Sequence, residues 1–272
     1  NGRTVEDPVG ALSSTVTVTG QVILADKDYV RQLTSIFKKA NIEIDGIIPN
    51  VLAERSLILD VNEMNDNVMI LDIGAGNTDI GVFNGSNFVY ANTIPLGGDN
   101  ITNDIAQVFY ISEEEADRLK KQYALALKSF IDNDTDIMLT TYKGDERNKV
   151  IKSSELIEVI EARVEEIFSL VNKQITSLGI KSNINNVILT GQGITCISKS
   201  DVAGKIVLNI PVKIATGRMI STVKPAYRSS YALVRYVSSR PYAKNVASKI
   251  DVKSNENFFK TILERIKEFF YT

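Results

Sequence analysis

The residues best placed to do chemistry are a lone carboxylate and a set of glycine turns. Val68–Ile73 is a short apolar run rich in branched residues, with Asp72 near its end, and it stops at Gly74-Ala75-Gly76-Asn77-Thr78. Such a run suits a buried strand. A carboxylate inside it is costly unless it meets a cation, a donor or a ligand. Gly74 and Gly76 let the backbone turn tightly and bring N–H groups close to an anion. Thr78 adds a hydroxyl, and Ile80–Phe83 resumes an apolar strand. The pattern reads as a loop holding phosphate between two strands, with Asp72 placed for a magnesium ion or its water. A dinucleotide fingerprint is excluded, because Asp79 stands where a third glycine is required and a strand follows instead of a helix. A plain hairpin with a glycine turn is the simpler reading of the same residues.

Two more glycine turns follow apolar strands. Phe88–Ile94 runs into Pro95-Leu96-Gly97-Gly98, and a helix is expected from Asn100 or Ile101. Free N–H groups and the helix dipole favour an anion there, although flexible glycines before a helix cap account for the pattern too. Asn186–Thr190 is a second buried strand, ending in Gly191-Gln192-Gly193. Between these turns, Ser112-Glu113-Glu114-Glu115 reads as a capping box opening a helix with Asp117 and Lys120 one turn apart on one face. Spacing alone makes that pair an ordinary solvated ion pair.

The elements that must position these turns alternate strand and helix. Ser14–Ala25 reads as one long strand or two short ones. Asp26-Lys27-Asp28 caps a helix carrying Val30, Leu33, Ile36 and Phe37, which ends at Asn41. Ile42–Ile48 reads as a strand, completing a β-α-β unit. Asn50–Val61 reads as a helix. Ile131–Lys149 should form a hairpin, with Asp136–Tyr142 strand-like and a turn at Lys143-Gly144-Asp145. Ser153 caps a long helix with Ile157, Ile160, Val164, Ile167, Phe168 and Val171 along one stripe and a solvated acidic face (Glu155, Glu158, Glu161, Glu165, Glu166). Val207–Ile214 reads as a strand and Ser230–Val237 as a closing helix. Alternation of this kind indicates layered α/β architecture.

Composition removes several alternatives. The chain has 272 residues, enough for two modest domains, with one Cys and no His. No disulfide framework is possible, a reducing compartment fits, and His-dependent triads and a zinc site are excluded or disfavoured. No apolar run is long enough to span a bilayer, and no signal peptide opens the chain. Charge is uneven: Asp201–Thr272 carries 13 Lys/Arg against 5 Asp/Glu. A basic final third invites an acidic partner, whether anionic lipid, nucleic acid or acidic peptide. Within it, Tyr242–Asn255 is a polar linker. In Glu256–Tyr271, Phe258, Phe259, Ile262, Leu263, Ile266, Phe269 and Phe270 share one helical face, with Lys260, Arg265 and Lys267 at the flanks and back. A large apolar moment with basic flanks after a tether is the pattern of a helix lying in a bilayer interface. Docking on the chain's own core or in a partner's groove are the alternatives.

Leu71–Ile80 resembles the second phosphate motif of the actin, Hsp70 and sugar-kinase superfamily. Ile94–Ala106 (IPLGGDNITNDIA) resembles one branch of it, the FtsA family of bacterial cell-division proteins, and the resemblance extends over nearly the whole chain. It implies an incomplete actin-like (ribonuclease H-like) ATPase fold with an FtsA-type extra β-α-β subdomain. It divides the chain into 1–48, the second half of a 1C-type subdomain; 49–66, a connecting helix of subdomain 1A; 67–100, the first part of subdomain 2A; 101–182, subdomain 2B; 183–241, the remainder of 2A; 242–255, the linker; and 256–272, a membrane-targeting helix. The superfamily's first phosphate loop has no counterpart in the chain, which is expected to lack its N-terminal part and to bind nucleotide weakly at best.

The resemblance further implies ATP and Mg2+ as ligands. Nucleotide contacts are expected at Asp72, Gly74, Gly76, Asn77, Thr78, Gly97, Gly98, Asp117, Lys120, Gly191, Gln192 and Gly193, and Mg2+ at Asp72 through water. Asp117 and Lys120 would flank ribose and adenine. Gln192 replaces a family glycine. Asn50 stands where relatives carry a water-positioning Glu or Gln, and Asn is no general base, so at most a weak ATPase is expected. The implied partners are the C-terminal tail of FtsZ (on the 101–182 subdomain), further copies of the chain, anionic membrane lipid, and other division proteins through the 1C subdomain, with no nucleic acid. The implied location is the cytoplasmic face of the bacterial inner membrane at the division septum. A kinase or true ATPase of the same superfamily, and an actin-like pilus-assembly or segregation protein, are the competing readings.

Overall fold

β1 (Asn67–Ile73) is buried on both faces along its apolar run Val68–Leu71. The computed structural model describes residues 22–59, 63–139, 149–216, 223, 224 and 227–239, together with Thr15 and Thr17. The chain falls into two compact units, residues 1–47 and 48–272.

In the first unit the described residues hold one helix, α1 (Lys27–Lys39). Asp26 caps it by accepting from the Tyr29 N–H at 2.8 Å, and Lys38 and Lys39 fall in its last turn, as the dipole favours. Asn41 follows in the left-handed region. The expected strand at Ile42–Ile48 is not formed, and the described part of Ser14–Ala25 is not in a strand either. Val22, Leu24 and Ile42 are exposed. A lone extended segment has no ladder for its N–H and C=O groups, and the described residues offer it none.

In the second unit, β1, β2 (Thr78–Asn84), β3 (Asn87–Ile94), β6 (Asn186–Thr190) and β7 (Val212–Ile214) form one sheet in the order β3-β2-β1-β6-β7. β1–β2–β3 is an antiparallel meander, while β6 pairs parallel to β1 and β7 parallel to β6. Side chains alternate across the pleat. Met69, Leu71 and Ile73 face a core with α3 (Gly98–Phe109), α5 (Ser153–Ser177), the short α6 (Gln192–Thr195) and α7 (Ser200–Leu208). Val68 and Ile70 face a second core with α2 (Asn50–Ile58) and α8 (Arg228–Ser238). This two-sided cover is what a parallel sheet centre needs.

Several boundaries differ from the sequence expectation. α2 stops at Ile58 rather than Val61. α3 starts at Gly98, so the glycines form its first turn and cap. Val207–Ile214 is not one strand: α7 runs to Leu208, Asn209 turns left-handed, and only Val212–Ile214 pairs. Pro211 lacks the N–H that would extend the ladder. Ser153 is the first residue of α5, not its cap. The Lys152 N–H is held by Glu155, and Asp134 accepts from the Ser154 N–H and Ser153 Oγ. The expected hairpin is present as β4 (Asp136–Leu139) against β5 (Lys149–Lys152), while its turn lies outside the described residues. The acidic face of α5 is exposed but paired: Glu158 binds Lys128, Glu161 accepts from the Lys128 N–H, and Glu166 pairs with Arg163.

Candidate functional site

Three glycine turns stack on one another at the carboxyl end of β1. The hairpin tip closes with the Gly74 N–H on the Asn77 carbonyl at 2.9 Å. The Gly98 and Asp99 N–H groups of α3 donate to the Gly74 and Ala75 carbonyls at 2.9 and 2.8 Å. Those two donors are thus engaged by the hairpin instead of standing free for an anion. The turn after β6 closes over the same backbone. A Cβ on Gly193 would lie 2.0 Å from the Gly74 oxygen, and Gly191 sits at φ +88 with a would-be Cβ 2.3 Å from the Ile73 oxygen. Only glycine fits such an approach. Gly74 and Gly76, by contrast, are not in the left-handed region.

These turns floor a cleft of about 370 Å³. Of the residues expected at a nucleotide, Asp72, Gly74, Gly98, Asp117, Lys120, Gly191, Gln192 and Gly193 line it. Gly76, Asn77, Thr78 and Gly97 are not part of its lining. The Thr78 hydroxyl is buried and donates to the Leu96 carbonyl at 2.8 Å, tying β2 to the turn before α3. Asn77 reaches Asp79 instead, at 3.0 Å. The residues expected at a membrane, Phe258 to Phe270, lie outside the described residues.

Lys120 is not the solvated partner its spacing suggested. α4 (Glu113–Tyr123), capped by Ser112, buries it to 6% exposure. Its Nζ donates to the Gly98 carbonyl at 2.9 Å and to Thr102 Oγ1 at 2.6 Å, with Asp117 Oδ1 at 3.4 Å. Lys121, exposed at the rim, takes the other oxygen of Asp117. Lys121 and Lys120 hold the Asp117 carboxyl below the usual range. Behind α3, Arg163 of α5 grips Asp104 with two bonds, at 2.6 and 2.8 Å.

The opposite wall contains residues that sequence reasoning passed over. Glu54 on α2 is 4% exposed, and Arg228 and Ser229 open α8. Asn50 Nδ2 lies 3.4 Å from Asp72 Oδ2, 3.3 Å from Glu54 Oε1 and 3.1 Å from Ser229 Oγ, and Ser229 donates to Glu54 Oε1 at 3.1 Å. Glu54 Oε2 is buried without a hydrogen-bond partner among the described residues. Burial first, then the charge of Asp72, pushes the Glu54 carboxyl up to about 8. Burial and the cross-strand charge of Asp79 push Asp72 up to about 6, against the Asn50 bond that lowers it. Only the i, i+4 spacing of Asn50 and Glu54 on a largely apolar helix hinted at this wall.

A β3-β2-β1-β6-β7 sheet, sandwiched by helices and carrying a glycine-lined cleft at the end of its central strand, defines an actin-like fold. Solved structures agree at low identity. The MreB 5 protein of Spiroplasma citri bound to AMPPNP matches with a TM-score of 0.66 and 17% identity over 83% of this chain and 68% of that one. The MamK double helical filament matches with a TM-score of 0.58 and 14% identity over 80% and 66%. The sequence is more specific: residues 69–232 match the profile of the family described as cell division protein FtsA. The chain belongs to the FtsA family. It is 32% identical to the cell division protein FtsA of Bacillus subtilis over 85% of this chain and 52% of that protein. It is 25% identical to that of Escherichia coli K12 over 85% and 58%. The chain therefore spans just over half the length of these relatives.

Proposed function

We propose that the cleft takes ATP as its magnesium complex, and that the nucleotide sets the conformation in which this actin-like division protein self-associates. Residues 101–182 receive the C-terminal tail of FtsZ, residues 1–48 receive other division proteins, and Glu256–Thr272 holds the assembly to anionic lipid at the cytoplasmic face of the inner membrane. The carrying observation is the stacking of the Gly74, Gly98 and Gly191–Gly193 turns around one cleft. Glycine backbone without side chains lets a phosphate chain approach closely, and Asp72 at the edge suits its cation. MreB 5 supports the reading, having been solved with ADP and with AMPPNP.

The residues present fit a magnesium ion. Burial and then the charges of Asp72 and Asp79 raise the proton affinity of Glu54, burial and the charge of Asp79 raise that of Asp72, and a cation beside Asp72 relieves that repulsion. Mg2+ is held by one or two carboxylates, water and substrate phosphates, so no dedicated cage is needed. Asp72 would hold it, and it would supply charge neutralisation to the phosphates.

Titration of the chain with a fluorescent ATP analogue tests this reading. Saturable binding that needs Mg2+ and is displaced by unlabelled ATP is expected, with a dissociation constant weaker than about 1 µM. No displaceable binding at millimolar nucleotide would overturn it.

A further inference from the structure

A triphosphate is strongly anionic, yet Glu54, Asp72, Asp99 and Asp117 all line the cleft. Among the described residues three cationic side chains stand against them: Lys120, Lys121 and Arg228. Two are committed to the protein. The ammonium of Lys120 has three N–H donors, and they meet the Gly98 carbonyl at 2.9 Å, Thr102 Oγ1 at 2.6 Å and Asp117 Oδ1 at 3.4 Å. Lys121 pairs with the other oxygen of Asp117. The Gly98 and Asp99 N–H groups of α3 are likewise taken up by the Gly74 and Ala75 carbonyls. The glycine wall thus offers a phosphate chain room but little positive charge. Arg228 stands on the opposite wall, half-buried, at the start of α8.

The neighbouring residue fixes its place along that wall. Ser229 Oγ is 3.1 Å from Asn50 Nδ2 and 3.1 Å from Glu54 Oε1, and the same Asn50 nitrogen lies 3.4 Å from Asp72 Oδ2. The first turn of α8 therefore stands at the Asp72 end of the cleft, where a cation bridging the outer phosphates would be. A guanidinium is a planar fork of donors that matches two oxygens of one phosphate.

We propose that Arg228 reads the terminal phosphate of the bound nucleotide, gripping two of its oxygens from the wall that faces the glycine turns, so that the cleft holds a nucleoside triphosphate more tightly than the diphosphate. This rests on the nucleotide reading of the cleft. Ser229 donates to Glu54 and accepts from Asn50, both on α2, so a phosphate held by Arg228 ties α8 and α2 to the nucleotide. Loss of that phosphate releases the tie, which gives the two nucleotides different affinities for the tied arrangement. The competing role is a plain counter-charge, since Arg228 is close enough for its charge to be felt at Glu54. A counter-charge is indifferent to the number of phosphates.

The test follows displacement of a fluorescent ADP analogue by ATP, ADP and AMP with Mg2+ present. It is run on the whole chain, on Arg228→Gln and on Arg228→Lys, with melting temperature as a check on folding. The unaltered chain should prefer ATP over ADP at least ~10-fold, the size of one charge-assisted fork. Arg228→Gln should bring ATP within about threefold of ADP, while ADP and AMP stay within about twofold of their affinities for the unaltered chain. Arg228→Lys keeps the charge without the fork, and should lose at least about threefold of the preference. No preference in the unaltered chain, an undiminished preference in either folded variant, or equal weakening of all three nucleotides would each overturn the assignment of Arg228 while leaving the nucleotide reading in place. Failure of both variants to fold would mark Arg228 as a structural counter-charge and overturn it too. A tracer that does not bind, or that no nucleotide displaces, would instead bring down the nucleotide reading and this inference with it.

Discussion

Lys120 Nζ lies 2.9 Å from the Gly98 carbonyl oxygen, inside the protein, so the lysine of α4 braces the first turn of α3. Its bonds to Gly98 and Thr102 leave it beneath the turn that opens α3. Lys120→Met removes a charged donor from the Gly98 carbonyl and Thr102 Oγ1, leaving between them only the longer Thr102 hydroxyl bond to Gly98 at 3.3 Å. We expect a loss of roughly 3 kcal/mol of unfolding free energy by denaturant titration. An unchanged midpoint would show that the brace is dispensable.

The two raised carboxyls make stability depend on pH. In the folded state Glu54 and Asp72 bind protons up to about 8 and about 6, above their ordinary values of 4.5 and 3.8. The folded chain therefore holds more protons than the unfolded chain between those limits, and stability falls as pH rises. The contribution is complete below 3.8 and 4.5 and is lost as pH passes about 6 for Asp72 and about 8 for Glu54. Melting temperature should drop from pH 5 to pH 9 with no nucleotide or metal present. Glu54→Gln should flatten the upper half of that drop.

The glycine at position 193 has no room for a side chain. Gly193→Ala places a methyl 2.0 Å from the Gly74 oxygen, which is backbone and cannot swing aside. A loss of about 3 kcal/mol or more is expected, together with lost nucleotide binding. Gly76→Ala is the control: its Cβ would meet nothing within 4 Å, and thermal melting should hardly move.

Arg163 and Asp104 form a two-bond fork whose side chains are 23% and 25% exposed. It locks α5 to the middle of α3 and so fixes where that helix points its start. A double-mutant cycle with Arg163→Ala and Asp104→Ala should give a coupling of about 1 kcal/mol, above the usual surface pair. A coupling near zero would mean that packing alone sets the angle of α3.

Glu256–Thr272 carries the lipid-binding part of the proposal. Co-sedimentation with vesicles of mixed neutral and anionic phospholipid should fall to background when residues 256–272 are removed, and should weaken with added salt. Equal sedimentation of both chains would remove the anchoring role.

What the sequence made legible depended on how local the cause was. β1 and its turn were readable because an apolar run ending in glycines is a local signal. So was the long stripe of α5, whose expected residues are all buried. The run Val207–Ile214 misled because periodicity does not separate a helix end from a short buried strand, and Asn209 and Pro211 decide it. Lys120 looked solvated because an i, i+3 pair reads the same in or out of water. Its burial comes from Gly98 and Thr102, on another helix. Glu54 was overlooked for a similar reason. A single acid in a short helix carries no pattern, and its partner Ser229 is far along the chain. The helix of the first unit was legible through its Asp26 cap, whereas the neighbouring strands depend on pairing that the described residues do not supply.

β1 takes one neighbour from next door and the other from afar: Ile73 meets Thr78, but Val68 meets Asn186. On the ribosome, the meander can zip up as soon as it emerges, while its open edge must wait for more than a hundred further residues to be translated. Until β6 arrives, Met69 and Leu71 have no lid on that side, and the nascent chain offers a bare strand edge to any chaperone or sister chain nearby. The cleft is consequently among the last features of this unit to be assembled.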